Sequence, residues 1–234
     1  MYHLRTPAGE EMQRAIAEKL RTIDRLLEKE YGLPTRKRAD PLDVLIGTVL
    51  SQNTSAANSG RAYRAMREAF PTWNDVMNAP QAALEKVLKP GGLARTKSAR
   101  IQRMLRSIAE HGPLELDYLR ELPAEEAENA LLAFDGVGPK TARCVLLFGL
   151  EREAFPVDTH ILRIFRRLGI IPSDMTAEKA HAYLLHLIPK GRCHPLHLNL
   201  IAHGRRVCHP REPDCNRCAL ERHCAYDNSE GTAQ

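Results

Sequence analysis

The chain has 234 residues, enough for one large or two small domains with a real core. Its net charge of +5 fits a polyanionic partner, and its aromatic content of 5% argues against recognition by stacking on exposed rings. The longest apolar runs fall far short of a membrane span.

In chain order, nearly every segment reads as helix. Met12, Ile16, Leu20, Ile23 and Leu27 are spaced like one buried face of an amphipathic helix. Asp40-Pro41 opens a second helix carrying Leu42, Val44, Leu45, Val49 and Leu50. Pro80, Pro123 and Thr176 mark further helix starts, while Gly91-Gly92, Gly112-Pro113 and Gly136 to Gly138 punctuate helix ends. Arg95, Lys97, Arg100, Arg103 and Arg106 crowd the helix after Gly91-Gly92. Arg163, Arg166 and Arg167 form a second cluster, and Arg205 with Arg206 a third. One such cluster is ordinarily a solvated helix face; three near candidate turns predict phosphate contacts. No sustained period-two alternation is present, so the fold class is all-α. Residues from about Asp227 to Gln234 read as a frayed tail.

Two stretches carry the chemistry. The first is Gly136-Val137-Gly138-Pro139-Lys140, followed after a short apolar helix by Val157-Asp158-Thr159-His160. Glycines let the backbone turn tightly and approach a ligand, and Pro139 suits a first helical position. The turn is a candidate anion site at a helix start. A lysine there is disfavoured as a cation by the helix dipole, which pushes it toward its nucleophilic form. Asp158 is the nearby carboxylate, and it is equally placed to cap the helix that follows. The second stretch holds Cys208, Cys215, Cys218 and Cys224 in the pattern C-x6-C-x2-C-x5-C. So short a segment reads as a metal or cluster site rather than a disulfide framework, with zinc and iron–sulfur both open from spacing alone. The N-terminus, with Arg5, Glu10 and Glu11, has no apolar signal region, which predicts a reducing, cytoplasmic compartment. Cys144 and Cys193 read as buried and inert.

Gly136-Val-Gly-Pro-Lys140-Thr-Ala, Val157-Asp-Thr-His160, His203-Gly204-Arg205 and the cysteine spacing occur together and in order. In this the chain resembles the endonuclease III-like DNA glycosylases from about Asp40 to Tyr226. The resemblance implies a six-helix barrel with a helix–hairpin–helix over residues 34–152. It implies a second lobe, 1–33 plus 153–234, closed by a [4Fe–4S] cluster on the four cysteines. Lys140 and Asp158 would face each other from the two lobes, and a monomer would act on duplex DNA holding a damaged base or abasic site.

The resemblance further implies that Lys140 attacks the sugar's anomeric carbon, displaces the base and cuts the strand by β-elimination, with Asp158 assisting. Gln52 matches the family's gap-filling glutamine, and Leu93 a wedge that enters the base stack. Gly136, Gly138, Arg95 and Lys97 would contact DNA. Departures lie at Ser55, Ala56 and Ala57, at Ala94, at Phe134-Asp135 and between Cys208 and Cys215. The leading expectation is a bifunctional glycosylase and abasic-site lyase for oxidised pyrimidines such as thymine glycol. The alternatives are a monofunctional glycosylase for a mismatched or alkylated base, or a weakly catalytic damage-binding protein.

Overall fold

A computed structural model of the chain describes residues 7–226, with side-chain environments from residue 9 onward; the tail expected from Asp227 lies outside the described residues. The helices in order are α1 (Pro7–Tyr31), α2 (Pro41–Ser51), α3 (Ala56–Ala69), α4 (Trp73–Asn78), α5 (Gln81–Leu88) and α6 (Ala94–Ala109). They continue with α7 (Ala124–Leu132), α8 (Pro139–Cys144), α9 (Thr159–Arg167), α10 (Ala177–Leu185) and α11 (Cys193–Arg206). A π-helical turn, Val145–Gly149, extends α8. No strand occurs among the described residues, so the chain is all-helical. No described helix is long and apolar enough to cross a membrane.

The helix starts follow their local chemistry. Asp40 caps α2 by accepting from the Leu42 and Asp43 amides, and Thr176 caps α10 by accepting from Lys179 N. Pro80 and Pro123 sit immediately before α5 and α7. Thr72 and Asp75 form a reciprocal capping box at α4, which also holds the Asp75 carboxyl below its usual range.

The chain divides into two compact units, Arg38–Arg152 and the remainder up to Lys37 and from Glu153. In the first, α2 is the central helix, with Leu42, Leu45, Ile46, Val49 and Leu50 all fully buried. Gly149 lies against it so closely that a Cβ would stand 2.8 Å from Pro41 Cα. At the unit's end, Arg152 donates to the carbonyls of Leu119, Arg120 and Leu122.

In the second unit α1 packs on α11 through Leu20, Ile23 and Leu27, all fully buried. Met12, expected on the same face, is 55% exposed. The buried stripe starts at Leu20, with Ile16 only half-buried. Arg192 forks onto Asp24, at 2.5 and 3.0 Å, and also pairs with Glu28. Cys144 and Cys193 are both buried, as expected, and burial pushes the Cys193 thiol well above its usual range.

The contact at Gly149 generates a prediction. Gly149→Ala presses a methyl on backbone that has no rotamer to yield, so stability falls by about 1–3 kcal/mol. Urea denaturation measures this.

Candidate functional site

The glycine turn lies in the Arg38–Arg152 unit, between α7 and α8. Its two glycines are there for different reasons. Gly136 has φ +74°, which disfavours any side chain, and a Cβ on it would sit 2.1 Å from Arg100 Nε. Gly138 is extended, at φ −95° and ψ 176°, and nothing lies within 4 Å of where its Cβ would be. Among the described residues no packing contact requires glycine at 138. The open space leaves the backbone accessible just where α8 begins without a side-chain cap. Lys140, half-buried, is the second residue of that helix.

Gln52 is brought onto the turn from α2, 84 residues earlier in the chain. Its Nε2 donates to Gly136 O at 3.2 Å and reaches Thr141 Oγ1 at 3.4 Å. Arg100 Nη1 donates to its Oε1 at 3.0 Å. The backbone of Gln52 also closes α2, its N–H donating to Val49 O.

Leu93 is no core leucine. It is 56% exposed and held in the left-handed region at φ 50°, ψ 35°, directly before α6. An exposed, strained, large apolar side chain is a poor stability choice at that position. Arg95, on the first turn of α6, is exposed.

Lys97 requires a correction. It is 2% exposed, and its Nζ donates to Leu50 O and Gly91 O, each at 2.8 Å. Burial pushes its pKa below the ordinary lysine value. It is therefore an internal brace between the loops of Gln52 and Leu93 and is not a phosphate contact. A basic residue on a basic helix gives no sequence signal that it turns inward. Arg103, lower on α6, pairs with Asp135 at 2.5 Å on the surface and holds that carboxyl below its usual range.

Asp158 belongs to the other unit. It caps α9, its Oδ1 accepting from Ile161 N at 2.9 Å, and is half-buried. The loop leading to it is pinned by two buried histidines that sequence reasoning did not single out. His197 Nδ1 lies 2.9 Å from Pro156 O, and His181 Nδ1 lies 3.0 Å from Val157 N. Gly204 leaves room for His160, since a Cβ there would stand 2.8 Å from that ring's Nδ1.

In the same unit the four cysteines, none in a disulfide, line one cavity of about 170 Å³ together with Arg167, Val207 and Tyr226. Among the described residues, no three His, Cys, Asp or Glu side chains gather round a single-ion point. Arg163 donates to Cys208 O and Gly204 O. Arg167 donates to Cys208 Sγ at 3.1 Å and to the carbonyls of His209 and Pro210. These two arginines, expected in a phosphate-binding cluster, are committed to the cysteine segment instead.

His203 is buried, and burial takes its pKa down to about 4, so the ring is neutral. Its Nδ1 lies 2.9 Å from Tyr31 Oη and its Nε2 3.5 Å from Cys218 Sγ. Tyr31, its own pKa pushed up to about 12 chiefly by burial, stays a donor.

A helical unit whose Gly-x-Gly turn delivers the start of a further helix defines a helix–hairpin–helix protein. Residues 46–190 match the model of the HhH-GPD superfamily of base excision DNA repair proteins. The chain belongs to that superfamily, as an endonuclease III-like DNA glycosylase. It is 35% identical over 199 residues to endonuclease III of Thermotoga maritima, covering 85% of this chain and 89% of that one. It is 41% identical over 181 residues to an Arabidopsis thaliana protein named as a DNA glycosylase, covering 77% of this chain. The match spans 61% of that relative's length. A solved structure of a trapped covalent intermediate between an endonuclease III and DNA superposes with a TM-score of 0.76 at 26% identity. That match covers 89% of this chain and 95% of the other.

The two glycines make opposite predictions. Gly138→Ala leaves thermal stability within about 0.5 kcal/mol, because the methyl enters open space, yet weakens binding to duplex DNA. Gly136→Ala lowers the melting temperature as well, since it expels Arg100. Calorimetry and a fluorescence-anisotropy titration on each variant check the pair.

Proposed function

We propose that this chain is a bifunctional glycosylase and abasic-site lyase that removes oxidised pyrimidines such as thymine glycol from duplex DNA. The observation that carries the reading is Lys140 in the first turn of α8, two residues after a glycine that no packing contact among the described residues requires. Backbone open at that point suits a nucleic-acid phosphate, which would bring the sugar within reach of the amine. The flipped nucleotide presents C1′ to Lys140 Nζ. A bond forms from nitrogen to C1′ while the bond to the base breaks, and the base leaves with that electron pair and a proton. Ring opening protonates O4′ and gives an imine. Loss of a C2′ proton then expels the 3′ phosphate, and water releases the enzyme. Asp158, its Oδ1 already held by the Ile161 amide, is assigned to steady the positive charge that develops on the sugar.

The four cysteines are assigned to a [4Fe–4S] cluster. Four thiols round a cavity, rather than at a point, suit a polynuclear group better than one zinc ion, whose sulfur ligands sit about 2.3 Å from the metal. When bound, the cluster supplies a cross-link that closes the C-terminal segment. This chain's own residues prepare for it: Arg167 donates to Cys208 Sγ, and the His203 ring nitrogen Nε2 lies beside Cys218 Sγ, so both sulfurs have a polar neighbour that orients them. Burial pushes the Cys218 thiol up to about 11, so loading the site releases protons.

Incubation with a thymine-glycol duplex and borohydride tests the lysine. A trapped covalent complex that vanishes in Lys140→Gln supports the proposal. Trapping on an abasic duplex alone moves the substrate elsewhere, and no trapping on either rules out the lyase. Asp158→Asn keeps the helix cap, so its melting temperature stays close to wild type while turnover falls at least tenfold. Asp158→Ala also loses roughly 1 kcal/mol of cap stability. For the cysteines, Cys215→Ser is expected to give colourless, less stable protein, and a colourless wild type with stoichiometric zinc would overturn the cluster.

A further inference from the structure

We infer that Arg100 is a positioning residue that fixes the orientation of the Gln52 side-chain amide, and so which hydrogen-bonding edge Gln52 offers to the base left unpaired opposite a flipped nucleotide. The inference rests on the proposed repair function.

Both partners of the amide are one-way groups. A guanidinium only donates and a backbone carbonyl only accepts. With Arg100 Nη1 3.0 Å from Oε1 and Gly136 O 3.2 Å from Nε2, a flipped amide would set donor against donor and acceptor against acceptor. The orientation is therefore enforced by chemistry. What Gln52 retains for a base is one lone pair on Oε1 and one N–H, whose present partner, Thr141 Oγ1, is at a long 3.4 Å.

Arg100 is placed for this task at some expense. Its side chain crosses Gly136 where a Cβ would be, and its Nε is buried without a hydrogen-bond partner. Residues 93, 97 and 100 fall on one face of the helix start, four and three residues apart. One face thus presents the exposed Leu93, braces the Gln52 loop through Lys97, and aims the Gln52 amide through Arg100.

The test measures affinity for four duplexes carrying a tetrahydrofuran abasic analogue opposite each of the four bases. Wild type, Arg100→Met, Arg100→Lys, Gln52→Ala and the Arg100→Met/Gln52→Ala double variant are compared, with melting temperature and undamaged-duplex affinity as controls. Arg100→Met is expected to lose roughly tenfold on the favoured opposite base, the size of one charge-assisted hydrogen bond. The spread across the four duplexes should collapse to that of Gln52→Ala. The double variant should bind no more weakly than Gln52→Ala alone, and Arg100→Lys should recover part of the spread. A full wild-type spread in Arg100→Met, or additive losses in the double variant, overturns the inference while leaving the repair function standing. A wild type that does not prefer the abasic duplexes to undamaged DNA overturns both.

Discussion

A single ammonium group ties together the loops that carry Gln52 and Leu93 in the Arg38–Arg152 unit. Lys97 Nζ lies inside the protein between Leu50 O, at the end of α2, and Gly91 O, in the turn before α6. The last carbonyls of a helix have no partner within it, and buried carbonyls without a donor are costly. Lys97 supplies donors to both loops at once. Two residues beyond each acceptor stands a group assigned to DNA, Gln52 after Leu50 and Leu93 after Gly91. The brace explains how an exposed leucine can stay in a left-handed conformation, since the chain on both sides of it is tied down. It also shows why a flexible lysine serves here: an ammonium can aim separate hydrogens at two carbonyls on different segments.

The second unit uses the same logic with different residues. The loop that delivers Asp158 is fixed at Pro156 and Val157 by imidazoles from α11 and α10, and Asp158 itself is anchored by an amide of α9. Arginines of α9 hold the carbonyls around Cys208 in place. In both units, polar side chains replace regular secondary structure as the partners of loop backbone, which keeps functional groups on irregular chain without leaving it loose.

Much of this was legible from the residues. Helix starts at Asp40, Pro80, Pro123 and Thr176 were readable because caps and prolines act within a few residues of where they stand. The Gly136 turn was equally local, and the cysteine spacing brings its four thiols to one cavity. What escaped depends on tertiary contact. The inward turn of Lys97, the commitment of Arg163 and Arg167 to backbone carbonyls, and the exposure of Met12 all hinge on which helix lies opposite. Charge alone does not distinguish an arginine facing a phosphate from one facing a carbonyl. Gln52 was singled out for its motif, but its partner Arg100 had no signal beyond membership of a basic cluster.

The unit that holds α1 and α11 is interrupted in sequence by the whole of Arg38–Arg152, and this has a kinetic consequence. Asp24 and Arg192, its half-buried ion pair, are 168 residues apart. Closing so long a disordered loop costs on the order of 4–5 kcal/mol of chain entropy. The inserted unit, however, starts and finishes at one place, with Pro41 backbone against Gly149. Once it has folded, its two ends leave from neighbouring points, and the loop joining α1 to the C-terminal helices shrinks to the segments 32–40 and 150–158. Prior folding of the inserted unit therefore lowers the entropic cost of bringing α1 onto the C-terminal helices.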